Sequence, residues 1–145
     1  MKTEEFLKNV ELFTAMSPKN LARVAKLCSS RSYQAGDYIV RQGNAGVGLF
    51  LITEGKVKVV KSTKDEGDIE VATHGPGEFF GEMSVLDGAV RTANVIAVDP
   101  TECLVLVSWD FNSLMKSYPE IALEILPVIV KRFRETNEKL VGAGR

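Results

Sequence analysis

The stretch GEFFGEMSVLDGAVRTANVIAV, from Gly77 to Val98, carries most of the information in this chain. A glycine turn, a carboxylate, a predicted helical turn and an arginine follow one another and lead into an apolar strand. The unpaired amides at such a helix start attract an anion. The guanidinium of Arg91 can bind a phosphate through two parallel hydrogen bonds. Ionised Glu82 can only accept hydrogen bonds, so it favours hydroxyl groups such as those of a ribose. The stretch therefore predicts a site for a sugar phosphate.

This stretch resembles the phosphate-binding cassette of the cyclic nucleotide-binding domain family. That family includes catabolite activator proteins and the regulatory parts of cAMP- and cGMP-dependent kinases. Phe-Gly-Glu-Met-Ser at residues 80–84 matches the start of the cassette, and Arg-Thr-Ala at residues 91–93 matches its end. A glycine-rich segment at residues 43–57 is similar to the family's first hairpin. The family usually has proline before the arginine, whereas this chain has Val90, which changes one turn but removes no ligand donor.

The resemblance extends over nearly the whole chain and implies an α+β fold. Many short strands at even spacing also indicate a barrel or jelly roll. We expect an eight-stranded antiparallel β jelly roll (a double-stranded β-helix) with helices at both ends, the C-terminal helices acting as a lid. The chain is expected to be one domain, residues 1–145. Its predicted parts are N-terminal helices at 1–30, a β-roll at 31–107 with the cassette at 80–93, and C-terminal helices at 108–141.

The resemblance also implies which residues contact the ligand. Glu82 is expected to accept a hydrogen bond from the ribose 2′-hydroxyl, although it can instead cap the following turn or pair with Arg91. Two residues of the preceding strand and several of the last helix are candidates for the base pocket. The expected ligand contacts are Gly81, Glu82, Met83, Ser84, Arg91, Thr92 and Ala93. The base-pocket candidates are Val71, Thr73, Arg132 and Phe133, with Arg134 and Thr136 as further possibilities on the helix.

Thr92 bears on the choice of nucleotide. Arg-Thr-Ala-Asn-Val at residues 91–95 is similar to the cassette of cGMP-dependent kinases, in which threonine favours guanine. Kinase domains selective for cAMP usually have alanine there, but bacterial cAMP receptors have serine, so a hydroxyl does not exclude adenine. Thr92 can also be simply a β-branched residue that begins a strand. We expect the chain to bind both cAMP and cGMP.

Composition excludes several other classes of protein. The net charge of −1 supplies no field that would hold DNA or anionic lipid, and no apolar run approaches a membrane span. The N-terminus has no signal-peptide core, and two isolated cysteines fit a reducing compartment, so we expect a cytoplasmic protein. His74 is the single histidine, which argues against a metal site, a catalytic cofactor and a cupin-like metalloenzyme. No nucleophile or oriented triad accompanies it, so the chain is not expected to be an enzyme.

Local patterns add four structural expectations. Ser17-Pro18 predicts a helix start, with the serine as N-cap and the proline in the first turn. The wholly apolar run at residues 49–52 predicts a strand covered on both faces. The charged run at residues 61–67 predicts a loop. Pro127 lies within the long C-terminal helix and predicts a kink or break immediately before it.

These expectations combine into a stand-alone sensor that binds a cyclic nucleotide and draws in its C-terminal helix. The chain leaves no room for an appended DNA-binding domain, so we expect an unidentified effector protein to receive the signal. A homodimer through the C-terminal helix is a further expectation drawn from the resemblance. The alternative is a jelly-roll interaction domain that binds protein and no ligand, although retention of Gly81, Glu82 and Arg91 argues against it.

Overall fold

The computed structural model describes residues 3–44, 48–81 and 92–143. Within these ranges the chain forms helices at both ends and strands between them. The helices are α1 (Thr3–Lys8), a 3₁₀ turn (Glu11–Phe13), α2 (Pro18–Leu27), α3 (Ser108–Ser117) and α4 (Glu120–Ala143). The strands are β1 (Ser29–Tyr33), β2 (Tyr38–Val40), β3 (Gly48–Glu54), β4 (Val57–Thr63), β5 (Gly67–His74), β6 (Phe79–Phe80), β7 (Asn94–Ala97) and β8 (Thr101–Val107).

The strands form two antiparallel sheets, each of four strands. One sheet has the order β1-β8-β3-β6, and the other has the order β2-β7-β4-β5. Sequential strands alternate between the sheets in several places, so the chain winds around a common interior. The predicted α+β jelly roll is therefore confirmed. None of the helices in the described ranges is long and apolar enough to cross a membrane.

Strand β3 lies between two hydrophobic cores, as its apolar run predicts. Leu49 and Leu51 face the helices and belong to a core formed with α1, α2, α3 and α4. Phe50 and Ile52 point the other way, into the space between the sheets. Because successive side chains of a strand point to opposite faces, a segment covered on both sides is apolar throughout, as residues 49–52 are, and the polar Thr53 and Glu54 follow at the end of β3.

The β4–β5 hairpin is longer than predicted. The charged run at residues 61–67 predicts a loop, but β4 extends to Thr63 and β5 begins at Gly67. The hydroxyl of Thr63 donates to the Gly67 carbonyl at 2.8 Å and accepts from the Glu66 amide at 3.1 Å, which closes a tight turn. Both strands are exposed at this end, so their charged side chains do not oppose strand pairing.

A polar network joins α2 to the start of α4. The hydroxyl of Ser17 accepts from the Asn20 amide at 3.3 Å, which confirms the predicted N-cap. The carboxylate of Glu124 accepts from the Ser17 amide at 3.0 Å and from Nδ2 of Asn20 at 2.8 Å. Arg23 donates to Oδ1 of Asn20 at 2.7 Å and lies 3.6 Å from the ring centroid of Tyr118. The oxygen and the nitrogen of the buried Asn20 side-chain amide thus both have hydrogen-bond partners.

Of the kink or break predicted near Pro127, the break is wrong, because α4 is continuous from Glu120 to Ala143, and the kink stays a prediction. Proline removes one N–H, which leaves the carbonyl of Leu123 without its helical donor. Both residues are exposed, so that carbonyl can bond to water instead. A proline on the solvent side of a helix therefore costs less than one that faces the core.

Replacing Glu124 should destabilise the fold. In Glu124→Ala the buried Nδ2 of Asn20 loses its acceptor, which costs about 1–3 kcal/mol of unfolding free energy. Urea denaturation measures this loss, with Glu120→Ala, an exposed site on the same helix, as the control. Equal stability of the two variants would show that the network contributes nothing.

Candidate functional site

The described residues form the border of the predicted ligand site. Gly81, Thr92 and Ala93 lie within the described ranges, at the two ends of the cassette. The other predicted contacts, Glu82, Met83, Ser84 and Arg91, lie outside the described residues. The geometry of the site is therefore given by the two strands that lead into and out of this segment.

The strand that leads into the cassette is held from both sides. In β6, Phe79 is buried in the helix core and Phe80 in the core between the sheets. The ring of Phe80 stacks on that of Phe50, with centroids 5.0 Å apart and planes 3° from parallel. Gly81 follows at once with φ +91°, a conformation that favours glycine. The chain therefore enters the cassette at a fixed point and turns sharply there.

The turn before β6 is fixed by hydrogen bonds. The Gly77 amide donates to the Ile52 carbonyl, and the Ile52 amide donates to the Glu78 carbonyl, both at 2.9 Å. The Glu78 carboxylate accepts from Nδ1 of His74 at 2.8 Å and from the Gly75 amide at 2.9 Å. Burial by itself raises the pKa of Glu78, but these hydrogen bonds and the charges of His74 and Arg132 outweigh burial and lower the pKa.

Helix α4 contacts this same turn and strand through Arg132. The guanidinium carbon of Arg132 lies 4.3 Å from the ring centroid of Phe79, which is a cation–π contact. The same charge acts on Glu78. The C-terminal helix thus interacts with Glu78 and Phe79. Phe80 follows these two residues and leads into Gly81. β6 and α4 are therefore in direct contact through Arg132 and Phe79.

The strand that leads out of the cassette begins at Asn94. Thr92 is exposed and Ala93 is half-buried. Asn94 pairs with Val60 of β4, and its Oδ1 accepts from the Gln42 amide at 2.8 Å. Sequence reasoning did not identify Asn94 or Gln42. One signal was present, since Asn94 is a polar residue at the start of an otherwise apolar strand.

The base-pocket candidates lie in two places. Val71 and Thr73 are on β5, which is the last strand in the order of the second sheet, and Val71 is exposed. Val71 is an extra residue in the hairpin ladder, because Val59 pairs with Ala72 and Val60 with Glu70. On α4, Arg132 contacts Phe79 of the first sheet, whereas Phe133 is exposed. The described contacts thus bring Arg132 to the border of the cassette.

The remaining helix candidates face water. Arg134 and Thr136 are exposed, and the Thr136 hydroxyl donates to the Arg132 carbonyl at 3.0 Å. That bond lies within α4. The assignment of Val71, Thr73, Phe133, Arg134 and Thr136 to a base pocket therefore stays a prediction.

Metal and thiol chemistry have little support in the same ranges. Among the described residues no group of three or more His, Cys, Asp or Glu side chains is placed to hold a metal ion. Cys28 and Cys103 are free thiols, and burial raises their pKa values to about 11 and about 12. At neutral pH both remain protonated and are therefore poor nucleophiles.

The chain matches a known protein family over most of its length. A family profile described as "Cyclic nucleotide-binding domain" matches residues 30–118. This range includes every strand except the first residue of β1, and it includes α3. The matched residues thus contain the whole predicted cassette.

Curated relatives include receptors and kinases. The chain is 33% identical over 134 residues to the cyclic AMP receptor protein of Thermus thermophilus, covering 92% of this chain and 62% of the receptor. It is 38% identical over 120 residues to cGMP-dependent protein kinase, isozyme 1, of Drosophila melanogaster, covering 80% of this chain and 16% of the kinase. The chain therefore spans less than two thirds of the length of either relative.

A solved structure with the same fold contains a ligand. The regulatory domain of Toxoplasma gondii PKA, co-crystallised with cAMP, superposes with a TM-score of 0.78 at 29% identity. The match covers 92% of this chain and 49% of that chain.

Proposed function

Because the chain belongs to the cyclic nucleotide-binding domain family, we propose that it binds cAMP or cGMP and acts as a regulatory sensor without catalytic activity. The observation that carries this proposal is the fixed path of the chain into the cassette. β6 is buried on both faces, and Gly81 turns at positive φ directly before Glu82. A preformed turn at this place lowers the ordering cost of binding a small ligand.

The proposed contacts follow from the chemistry of the ligand. Arg91 binds the cyclic phosphate, because a guanidinium supplies parallel donors to two oxygens. The Glu82 carboxylate accepts from the ribose 2′-hydroxyl. Amides and side chains of Gly81, Met83 and Ser84 complete the anion site. Thr92 and Ala93 contact the phosphate from the strand that follows.

The proposed output is a change in α4. Arg132 rests on Phe79, and Phe79 lies two residues before Gly81. A ligand bound at the cassette favours whichever arrangement of β6 and α4 it contacts better, and the contact of Arg132 with Phe79 couples these two elements. Arg132 and Phe133 can then approach the base while Val71 and Thr73 border it from β5. An effector protein, or a further part of the same protein, reads the new helix position.

We also propose that α4 joins two copies of the chain. Among the described side chains of this helix, four large apolar ones are exposed, at spacings of three, four and three residues. They are Leu123, Leu126, Val130 and Phe133. This spacing matches the a and d positions of a heptad, which pack against an equivalent seam on a second helix. A second copy supplies such a seam, and burial of the two seams against each other removes the exposed apolar surface from water.

The proposed compartment is the cytoplasm.

The phosphate contact gives the first test of the function. Arg91→Ala should weaken cyclic nucleotide binding by at least about tenfold, since a charge-assisted hydrogen bond contributes about 1.5–3 kcal/mol. Calorimetric titrations with cAMP, cGMP and 5′-AMP measure the change. Arg31→Ala, an exposed arginine on β1, is the control. Absence of binding by the unaltered chain would favour a ligand-free interaction domain, and equal affinity of the two variants would remove Arg91 from the site.

Thr92 gives a second test, on the choice of base. We propose that its hydroxyl bonds to the guanine amino group. Thr92→Ala should therefore weaken cGMP binding about fivefold relative to cAMP binding, which corresponds to the loss of one neutral hydrogen bond. Competition between the two nucleotides measures this ratio. Thr14→Ala, an exposed threonine outside the sheets, should leave it unchanged. A base preference that survives loss of the hydroxyl at position 92 would disprove its role.

The helix seam gives a third test. The double variant Leu126→Glu, Val130→Glu should be monomeric where the unaltered chain is dimeric, because buried carboxylates lose their hydration. Sedimentation equilibrium measures the mass. Lys131→Glu, on the same helix but outside the seam, should remain dimeric. A monomeric unaltered chain at millimolar concentration contradicts the proposed dimer.

A further inference from the structure

The side chain of Gln42 pairs with the backbone of Ser62. Gln42 lies two residues beyond the end of β2, and Ser62 lies near the end of β4. Oε1 of Gln42 accepts from the Ser62 amide at 2.9 Å, and Nε2 donates to the Ser62 carbonyl at 3.2 Å. One carboxamide therefore makes the two hydrogen bonds that a neighbouring strand would make.

Asn94 closes this arrangement. Its Oδ1 accepts from the Gln42 amide at 2.8 Å, and its Nδ2 donates to Oγ of Ser62 at 3.3 Å. The Ser62 hydroxyl in turn donates to Oδ1 of Asp68 at 2.9 Å. Both ends of the Asn94 amide are thus used to join β7 to the segment after β2 and to β4. We call Gln42, Ser62 and Asn94 the polar clamp.

The polar clamp lies where the backbone ladders of β7 end. The last pairs of that strand are Asn94 with Val60 and Val95 with Val40. Thr92 precedes Asn94 by two residues, which places its Cα at most about 7 Å from that of Asn94. Because no ladder pair is formed by Thr92 or Ala93 in the described strands, the side chains of the polar clamp fix the direction from which the chain reaches β7.

We propose that Gln42, Ser62 and Asn94 are positioning residues for the nucleotide site, which they serve by holding Thr92 and Ala93 in a ligand-ready path. This inference rests on the proposed function. Loss of the polar clamp lets the chain before β7 sample other paths, and the ligand must then restore the productive one. The hydrogen bonds of the polar clamp are exposed or half-buried, so their removal has a small effect on the fold itself.

A purely structural role of these hydrogen bonds can be distinguished from a positioning role. If the role is purely structural, loss of the bonds lowers the melting temperature of the ligand-free protein and leaves the affinity of the folded state unchanged. A positioning role weakens binding at temperatures where every variant is fully folded. The two readouts can be separated with a control variant that removes a similar bond elsewhere.

Asp37 offers that control near the opposite end of β7. Its carboxylate accepts from the Gln34 amide at 2.8 Å in an exposed turn, and its carbonyl accepts from the amide of Ala97. Asp37→Ala removes one side chain-to-backbone bond beside the last residue of β7. Asn94→Ala removes the side-chain bonds at its first residue, and Gln42→Ala removes the two side-chain bonds to the backbone of Ser62.

The experiment measures ligand-free melting temperature and the dissociation constants for cAMP and cGMP at a low temperature at which each variant is folded. We expect Asn94→Ala and Gln42→Ala to weaken binding about five- to tenfold, mainly through faster dissociation. Asp37→Ala should change affinity less than about twofold, whatever its melting temperature. Ser62→Ala, which keeps both bonds from Gln42, provides a milder variant if the others do not fold, with binding about two- to threefold weaker.

Each other result overturns a defined claim. If the unaltered chain binds neither nucleotide, the proposed function and this inference both fail. If the unaltered chain binds and the folded clamp variants bind as tightly as Asp37→Ala, only the positioning role fails. If only Ser62→Ala folds and its affinity is unchanged, the positioning role also fails.

Discussion

The two adjacent phenylalanines of β6 are the constraint on which the rest of this molecule depends. Phe79 packs among the helices and Phe80 packs between the sheets, so a strand of two residues joins both hydrophobic cores. The backbone at this point cannot shift without disturbing one core or the other, because packed interiors tolerate little change in volume. The sharp turn at Gly81 therefore begins from a fixed position, and Arg132 of α4 rests on the same strand. The border of the ligand site and the helix layer therefore both contact β6.

The two borders of the cassette are held by different physical means. The leading strand is held by apolar packing and ring stacking, whereas the following strand is held at its first residue by polar side chains. Apolar packing is strong but transmits movement to neighbouring elements. Exposed hydrogen bonds contribute less to stability, yet they are directional and set the path of a short segment. In the proposed function, a ligand bound between them acts on the helices through the first border and is aligned by the second.

Much of the fold follows from local patterns in the sequence. The N-cap at Ser17 and the two-sided burial of β3 are confirmed, because a serine–proline start and a wholly apolar strand each have one common structural meaning. The loop predicted at the charged end of the β4–β5 hairpin is wrong, since an exposed ladder requires no apolar residue. The effect of Pro127 depends on which side of α4 faces water, and that is decided by tertiary packing.

The motif of the candidate site can be recognised in the sequence by resemblance, but the contacts that support its two borders cannot. The resemblance gives Gly81 and Thr92 as ligand contacts and Arg132 as a base-pocket candidate, and these assignments stay predictions. The ring of Phe79 under that guanidinium, and the pairing of Gln42 with Ser62, join residues that are far apart in the chain. Such contacts have no local signature, because they arise from how the sheets and helices meet.

Hydrogen exchange with and without saturating cyclic nucleotide tests the central claim, that β6 links the ligand site to α4. We predict that cAMP or cGMP slows amide exchange both in β6 and in the turns of α4 around Arg132, whereas 5′-AMP slows neither. Protection confined to the cassette, with exchange in β6 and α4 unchanged, would contradict the account.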